Sequence, residues 1–93
     1  MSSSIKHTRG PWEAVHCINR PHTIQIESPE GILAEVFGSS GENAANARLI
    51  AAAPDLLYML RWLAYNAERS GADMGLALDV AKDTIAKATG ENL

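Results

Sequence analysis

The chain contains a single cysteine, Cys17, among its 93 residues. One cysteine cannot form an intrachain disulfide, so the sequence is typical of a protein from a reducing compartment. Long apolar runs are also missing, because none approaches the roughly 20 residues that a membrane-spanning helix requires. The segment before Trp12 lacks the apolar stretch of a secretion signal. We therefore expect a cytoplasmic protein with no membrane segment.

Basic residues are scarce, since 8 Lys and Arg stand against 11 Asp and Glu, a formal net charge of −3. Duplex DNA binding relies on clustered positive charge, so we expect no direct binding to duplex DNA. Aromatic residues make up only 5% of the chain, but the hydrophobic fraction of 46% is ordinary and excludes general disorder. The length allows one domain, residues 1–93, with a modest core.

Short β-strands are predicted in the first half of the chain, after a loose polar tail at residues 1–6. Residues 22–27 alternate cleanly, with Ile24 and Ile26 on one side. Turn signals at Pro21 and at Ser28-Pro29-Glu30-Gly31 bound this strand. Because short turns join neighbouring antiparallel strands, the pattern predicts a meander over residues 12–37. Its three predicted strands are residues 12–19, 22–27 and 32–37.

One face of this sheet needs a cover of apolar side chains from elsewhere in the chain. The alternation predicts a covered face made of Ile24, Ile26, Ile32, Ala34 and Val36. Leu33 and Phe37 then lie on the opposite face without an apolar partner in the chain. They are therefore candidates for an interface.

The second half of the chain is predicted to be helical, and Pro54 divides its longest stretch. Proline breaks a regular helix but suits the first helical turn, where its missing N–H costs nothing. We predict helices at residues 43–52, 54–69 and 73–89, with a break at Ala53. One kinked helix over residues 43–69 is the alternative. The predicted fold is α+β, a three-stranded antiparallel meander followed by two to three helices, residues 43–89, packed on one face.

The helix after Pro54 is apolar on two sides. One predicted stripe holds Leu56, Leu60, Leu63 and Ala67. The other holds Tyr58, Trp62 and Tyr65, and it is flanked by Arg61 and Arg69. Aromatic residues and arginine are what protein interfaces favour. We predict a partner or oligomer interface here, while core packing and the stacking of a nucleotide remain alternatives.

No motif in the sequence predicts catalysis. His16, Cys17 and His22 are the only cluster of metal-ligand types, but neighbours on a strand point to opposite faces. A zinc site draws four ligands at closer spacing. The loop at residues 38–41 precedes a helix but lacks the lysine and spacing of a phosphate-binding loop. We expect no catalytic residues, no metal and no cofactor.

Two segments resemble a family of small phage and prophage proteins. His7-Thr8-Arg9-Gly10-Pro11-Trp12 is similar to their HTPGPW opening, with Arg9 in the place of a proline. Residues 46–57, NARLIAAAPDLL, resemble their NARLIAAAPELLEAL segment. After that segment, Tyr58 to Trp62 replace a more acidic stretch in the relatives. The resemblance implies an origin in a phage genome and names no activity or catalytic residue.

This origin implies a function by analogy. Small phage genes without a catalytic site commonly encode inhibitors of host defence. We expect a non-enzymatic accessory protein in the cytoplasm of the bacterial host that binds and inhibits an antiviral defence component, as anti-CRISPR proteins do. An oligomeric sponge that sequesters a nucleotide immune signal and a structural or regulatory phage component are the alternatives. A homo-oligomer is expected, because one small domain cannot cover all of the apolar side chains.

Overall fold

The structure of the chain is a computed structural model that describes residues 6–20, 22–38, 41–71 and 75–90. It consists of two compact units, Met1–Pro54 and Asp55–Leu93. The first unit contains the sheet and one helix, and the second contains the remaining helical part. The predicted tail at residues 1–6 lies almost entirely outside the described residues.

The sheet of the first unit is an antiparallel meander of three strands, as predicted. Its strands β1 (Glu13–His16), β2 (Thr23–Ser28) and β3 (Gly31–Phe37) are arranged in the order β1-β2-β3. β1 is shorter than predicted, because the chain turns directly after His16. In that turn the Cys17 N–H donates to the Thr23 carbonyl at 3.1 Å, and the Thr23 N–H donates to the Arg20 carbonyl at 3.0 Å.

A β-bulge in β3 changes which side chains share a face. Ile26 pairs with Ala34, but the next residue of β2, Glu27, pairs with Ile32, so Leu33 is an extra residue. The predicted place of Ile32 on the covered face is therefore wrong, since directly paired residues share a face. Ile32 lies on the opposite face with Glu27 and is 59% exposed.

The core of the first unit lies between the sheet and helix α1 (Glu42–Ala51). Ile24 and Ile26 are 2% and 0% exposed, and Ala47 of α1 is 0% exposed. The alanines of α1 have no long side chain, so the helix backbone can approach the sheet closely. Val36 is half-buried as predicted, whereas Ala34 is exposed on the edge strand. The residues packed around this core are Trp12, Val36, Ala44 and Ala51.

The two segments that carry the family resemblance meet in this unit. Gly10 lies beside Pro54, since a Cβ on Gly10 would be 3.6 Å from the Pro54 Cβ. The Trp12 indole Nε1–H donates to the Thr8 carbonyl at 3.0 Å, and its ring meets His7 edge to face at 6.1 Å. The Gly10–Pro11 peptide bond is cis. The opening segment and the alanine-rich segment thus build one packed structure.

Helix α2 (Ala53–Ser70) follows α1 with only Ala52 between them. The chain therefore has two helices here, with the break one residue earlier than predicted. The Ala52 N–H still donates to the Arg48 carbonyl at 3.0 Å, which closes α1. Pro54 is the second residue of α2, where its missing N–H breaks no bond within that helix.

The second unit consists of α2 from Asp55 onwards and helix α3 (Gly75–Thr89). An ion pair between Glu68 and Lys82 joins the two helices and raises the pKa of Lys82. Gly71 has a left-handed φ of +72°, which suits the cap that ends α2. Asp83 and Lys87 form an i, i+4 ion pair at 4.0 Å. The predicted start of α3 at residues 73–74 lies outside the described residues.

One side of α3 is half-buried. Leu78, Ala81 and Ile85 are half-buried at helical spacing, whereas Ala88 is exposed. Across the parts of the chain that the structure describes, no helix is both long enough and apolar enough to cross a membrane.

Candidate protein-binding surfaces

The exposed side of α2 carries the aromatic residues that the sequence singles out. Tyr58, Trp62 and Tyr65 are 66%, 51% and 57% exposed, so the rings are not part of a core. Within the described residues, the core-packing alternative for this stripe is therefore wrong.

The predicted leucine stripe is only partly covered. Leu56 and Leu63 are 53% and 56% exposed, and Met59 between them is 46% exposed. Helical periodicity cannot decide which of two apolar sides is covered. Here the covered side holds Leu57 and Ala64 in place of Leu56 and Leu63. We call the exposed side the α2 surface. Its members are Leu56, Tyr58, Met59, Trp62, Leu63 and Tyr65, with Asp55 and Arg69 near its ends. The covered side holds Leu57, Leu60, Ala64 and Ala67.

The two arginines beside the aromatic stripe have different surroundings. Arg69 is exposed, donates from Nη1 to the Tyr65 hydroxyl at 3.2 Å, and places its guanidinium 5.5 Å from the centre of that ring. Arg61 is half-buried, and its Nε is buried without a hydrogen-bond partner among the described residues. Arg69 therefore belongs to the α2 surface, whereas Arg61 lies at the boundary with the covered side.

The face of the sheet opposite α1 is a second candidate, which we call the sheet surface. Phe37 is 67% exposed here, and its pairing with Thr23 places it opposite the Ile24 face, as predicted. Leu33 lies in the bulge and is 38% exposed. The residues of the sheet surface are Glu13, Val15, Gln25, Glu27, Ile32, Glu35 and Phe37.

Carboxylates lie next to apolar side chains on the sheet surface. Glu13 of β1 and Glu27 of β2 are direct cross-strand partners, and Glu27 also pairs with the exposed Ile32 of β3. Like charges that face each other across a ladder destabilise a sheet. Glu35 shares this face but is neutralised by an ion pair with Arg20. Hydrogen bonding to Glu35 and its negative charge raise the pKa of Arg20.

The seven residues predicted as an interface are divided between the two units. Tyr58, Arg61, Trp62, Tyr65 and Arg69 lie in the second unit, and Leu33 and Phe37 lie in the first. The sequence-based prediction missed the exposed aliphatic members of the α2 surface and the direct pairing of Glu13 with Glu27. This pairing could not be predicted, because it depends on the register set by the turn between β1 and β2.

The cluster of possible metal ligands is not brought together. His16 pairs with Ile24 on the face that α1 covers, and Cys17 follows it in the turn. Among the residues that the structure describes, no group of three His, Cys, Asp or Glu side chains could hold a metal ion. The loop at residues 38–41 is described only at its two ends.

A family model described as Salmonella phage P22 protein Y8K6 matches residues 1–92. No curated protein and no solved structure matches the chain. The match spans nearly the whole chain, including both segments on which the resemblance to small phage proteins rests.

Proposed function

The chain belongs to the Salmonella phage P22 protein Y8K6 family, and on that premise we propose that it is a non-enzymatic phage accessory protein that binds and inhibits a host antiviral defence component. The binding site is the sheet surface. Its target has a basic surface that ordinarily contacts nucleic acid, such as the guide or target channel of a CRISPR effector.

The single observation that carries this proposal is the pairing of Glu13 with Glu27 beside exposed Ile32, on the sheet face that also holds exposed Phe37. In the free chain both features are unfavourable, because the carboxylates repel each other and the apolar side chains face water. A basic partner removes both penalties, since it neutralises the carboxylates and covers the apolar side chains. The overall charge of −3 also favours encounter with a positively charged surface.

Infection assays test this function in paired host strains. One strain carries an active CRISPR system that targets the infecting phage, and the other carries the same system with its effector inactivated. Expression of the chain is expected to restore plaque formation in the first strain and to leave plating on the second unchanged. Phe37→Glu is expected to abolish the restoration, because it places a charge where apolar contact is needed.

Asp79→Lys is the matched control, since Asp79 is exposed on α3 and is not part of the sheet surface. It is expected to keep activity, whereas Glu27→Lys, with the same change of charge, is expected to lose it. Equal benefit from the chain in both host strains would contradict an inhibitor of defence. Full activity of a folded Phe37→Glu variant would contradict the sheet surface as its binding site.

A further inference from the structure

The second unit has almost no core of its own. Ala64, at 8% exposure, is its only buried residue within the described ranges 55–71 and 75–90. Each of the six large apolar side chains of the α2 surface is at least 46% exposed in the same unit. An exposed apolar patch of this kind in a small unit marks a surface that another molecule covers.

The sequence of α2 gives this surface a polarity along the helix axis. Asp55, Trp62 and Arg69 are seven residues apart, which is close to two helical turns, so they fall in one line. All three are exposed. Tyr58 and Tyr65 form a parallel line with the same spacing. The surface therefore has a carboxylate near the start of the helix, an indole at its middle and a guanidinium near its end.

The two terminal charges have no ion-pair partner among the residues that the structure describes. Among the described residues, Asp55 and Arg69 take part in no ion pair. Arg69 interacts with the ring and hydroxyl of Tyr65, which hold its guanidinium at the edge of the surface without a carboxylate. A partner that places a cation near Asp55 and an anion near Arg69 would neutralise both charges.

We propose that the occupant is a second copy of this chain, with the two α2 helices antiparallel and crossing near Trp62. In that arrangement Asp55 of each copy meets Arg69 of the other, because both lie about 10 Å from Trp62 along the axis. A parallel arrangement would instead place like charges together at both ends. Antiparallel helices also bring oppositely charged ends of their dipoles together.

The size of the surface is consistent with a reversible dimer. Aromatic side chains bury roughly 150–250 Å² each when fully covered, and the three rings of α2 are more than half exposed. Together with the three aliphatic side chains, two copies offer on the order of 1,000 Å², the lower limit for a specific interface. Association is therefore expected at roughly micromolar concentrations. The proposed dimer is formed by α2 alone and does not depend on the sheet surface.

Sedimentation velocity of the full chain tests this dimer. The wild-type chain is expected to change from monomer to dimer as its concentration rises through the micromolar range. Asp55→Arg and Arg69→Asp each place like charges at both ends of the interface, so each is expected to weaken self-association by roughly tenfold or more. An equimolar mixture of these two variants restores complementary ends and is expected to form a heterodimer.

Controls separate this result from loss of folding. Asp79→Arg makes the same change of charge as Asp55→Arg on an exposed position of α3, and it is expected to leave the dimer intact. Trp62→Ala is expected to stay folded, by circular dichroism, and to be monomeric. Where a charge reversal prevents folding, Asp55→Asn and Arg69→Gln take its place and are expected to weaken the dimer less than a reversal. A monomeric wild-type chain would overturn the proposal, as would unaltered dimers of the folded variants.

Discussion

Gly38 joins the end of β3 to the start of α1 at a point where no side chain fits. A Cβ on Gly38 would lie only 2.9 Å from the Cβ of Asn43, a separation that packed atoms do not tolerate. Asn43 in turn donates from Nδ2 to the His22 carbonyl at 3.2 Å, which ties α1 to the turn before β2. A methyl group at position 38 would push Asn43 away from this bond.

Gly38→Ala is therefore expected to lower the free energy of unfolding by about 1–3 kcal/mol, the usual cost of forcing an extra methyl group into a packed site. Urea denaturation followed by circular dichroism measures this loss. Gly41→Ala is the control, because nothing lies within 4 Å of a Cβ there. Equal urea midpoints for the two variants would show that the close approach of Gly38 to Asn43 does not contribute to stability.

The family-like residues up to Pro54 differ in role from those of the two surfaces. Trp12, Ala47 and Ala51 pack on the sheet, and Gly10 lies beside Pro54. These residues therefore build the first unit, whereas Asp55 and Leu56, at the end of the second segment, belong to the α2 surface. The exposed side chains that we assign to binding lie on the far face of the sheet and after Pro54 along α2.

At the scale of the elements, three strands and three helices could be predicted because alternation, turn residues and Pro54 all indicate the same boundaries. The bulge could not be predicted. Ile32, Leu33 and Ala34 are all apolar, and no glycine or proline among them marks the extra residue, so Ile32 was assigned to the wrong face. The sequence also could not decide which side of α2 is covered, since Leu56 and Leu63 fit a helical stripe as well as Leu57 and Leu60 do.

One of the two candidate surfaces could be predicted from the sequence, and the key feature of the other could not. The aromatic stripe could be identified because Tyr58, Trp62 and Tyr65 have a helical spacing. This spacing places them on one side of the helix, whichever way that side faces. The acidic pair could not be identified, because direct pairing of Glu13 with Glu27 requires the register of two strands. That register depends on where β1 ends, and the sequence predicted an end at residue 19 rather than at His16.

Pro54→Ala tests the junction between α1 and α2. Alanine restores an N–H but lacks the rigid ring of proline. The unfolded chain therefore gains conformational entropy, which lowers the free energy of unfolding by about 0.4–1 kcal/mol. It also removes the ring that lies beside Gly10. The variant is expected to keep or slightly increase its helix content while its melting temperature falls.

The comparison for Pro54→Ala is Pro29→Ala, at an exposed position of the turn between β2 and β3. Pro29→Ala loses rigidity without losing a packed neighbour, so its melting temperature is expected to fall less. An equal or larger fall for Pro29→Ala would show that contact with Gly10 adds nothing to stability.

At the scale of the whole molecule, the chain combines a small core with a large share of exposed apolar side chains. Ile24, Ile26 and Ala47 are the buried centre of the first unit, and Ala64 alone is buried in the second, within the ranges that the structure describes. Binding to the folded state alone adds stability by mass action. Both proposed contacts therefore stabilise the chain as well as serve its function.

The sheet surface places two carboxylates opposite each other, because Glu13 and Glu27 are direct cross-strand partners. A pair of this kind costs roughly 0.2–1 kcal/mol of stability. If these carboxylates serve a basic partner, their removal should improve the fold and impair the function. If they have no such role, their removal should not reduce function.

The most direct measurement is therefore a paired reading of stability and of plaque restoration for Glu13→Gln. The Glu13→Gln variant is expected to have a higher melting temperature than the wild-type chain, by a difference that shrinks as salt screens the repulsion. It is also expected to restore plaques more weakly in the defended host. Unchanged or stronger restoration by this folded variant would contradict the claim that the sheet surface binds a basic host defence component.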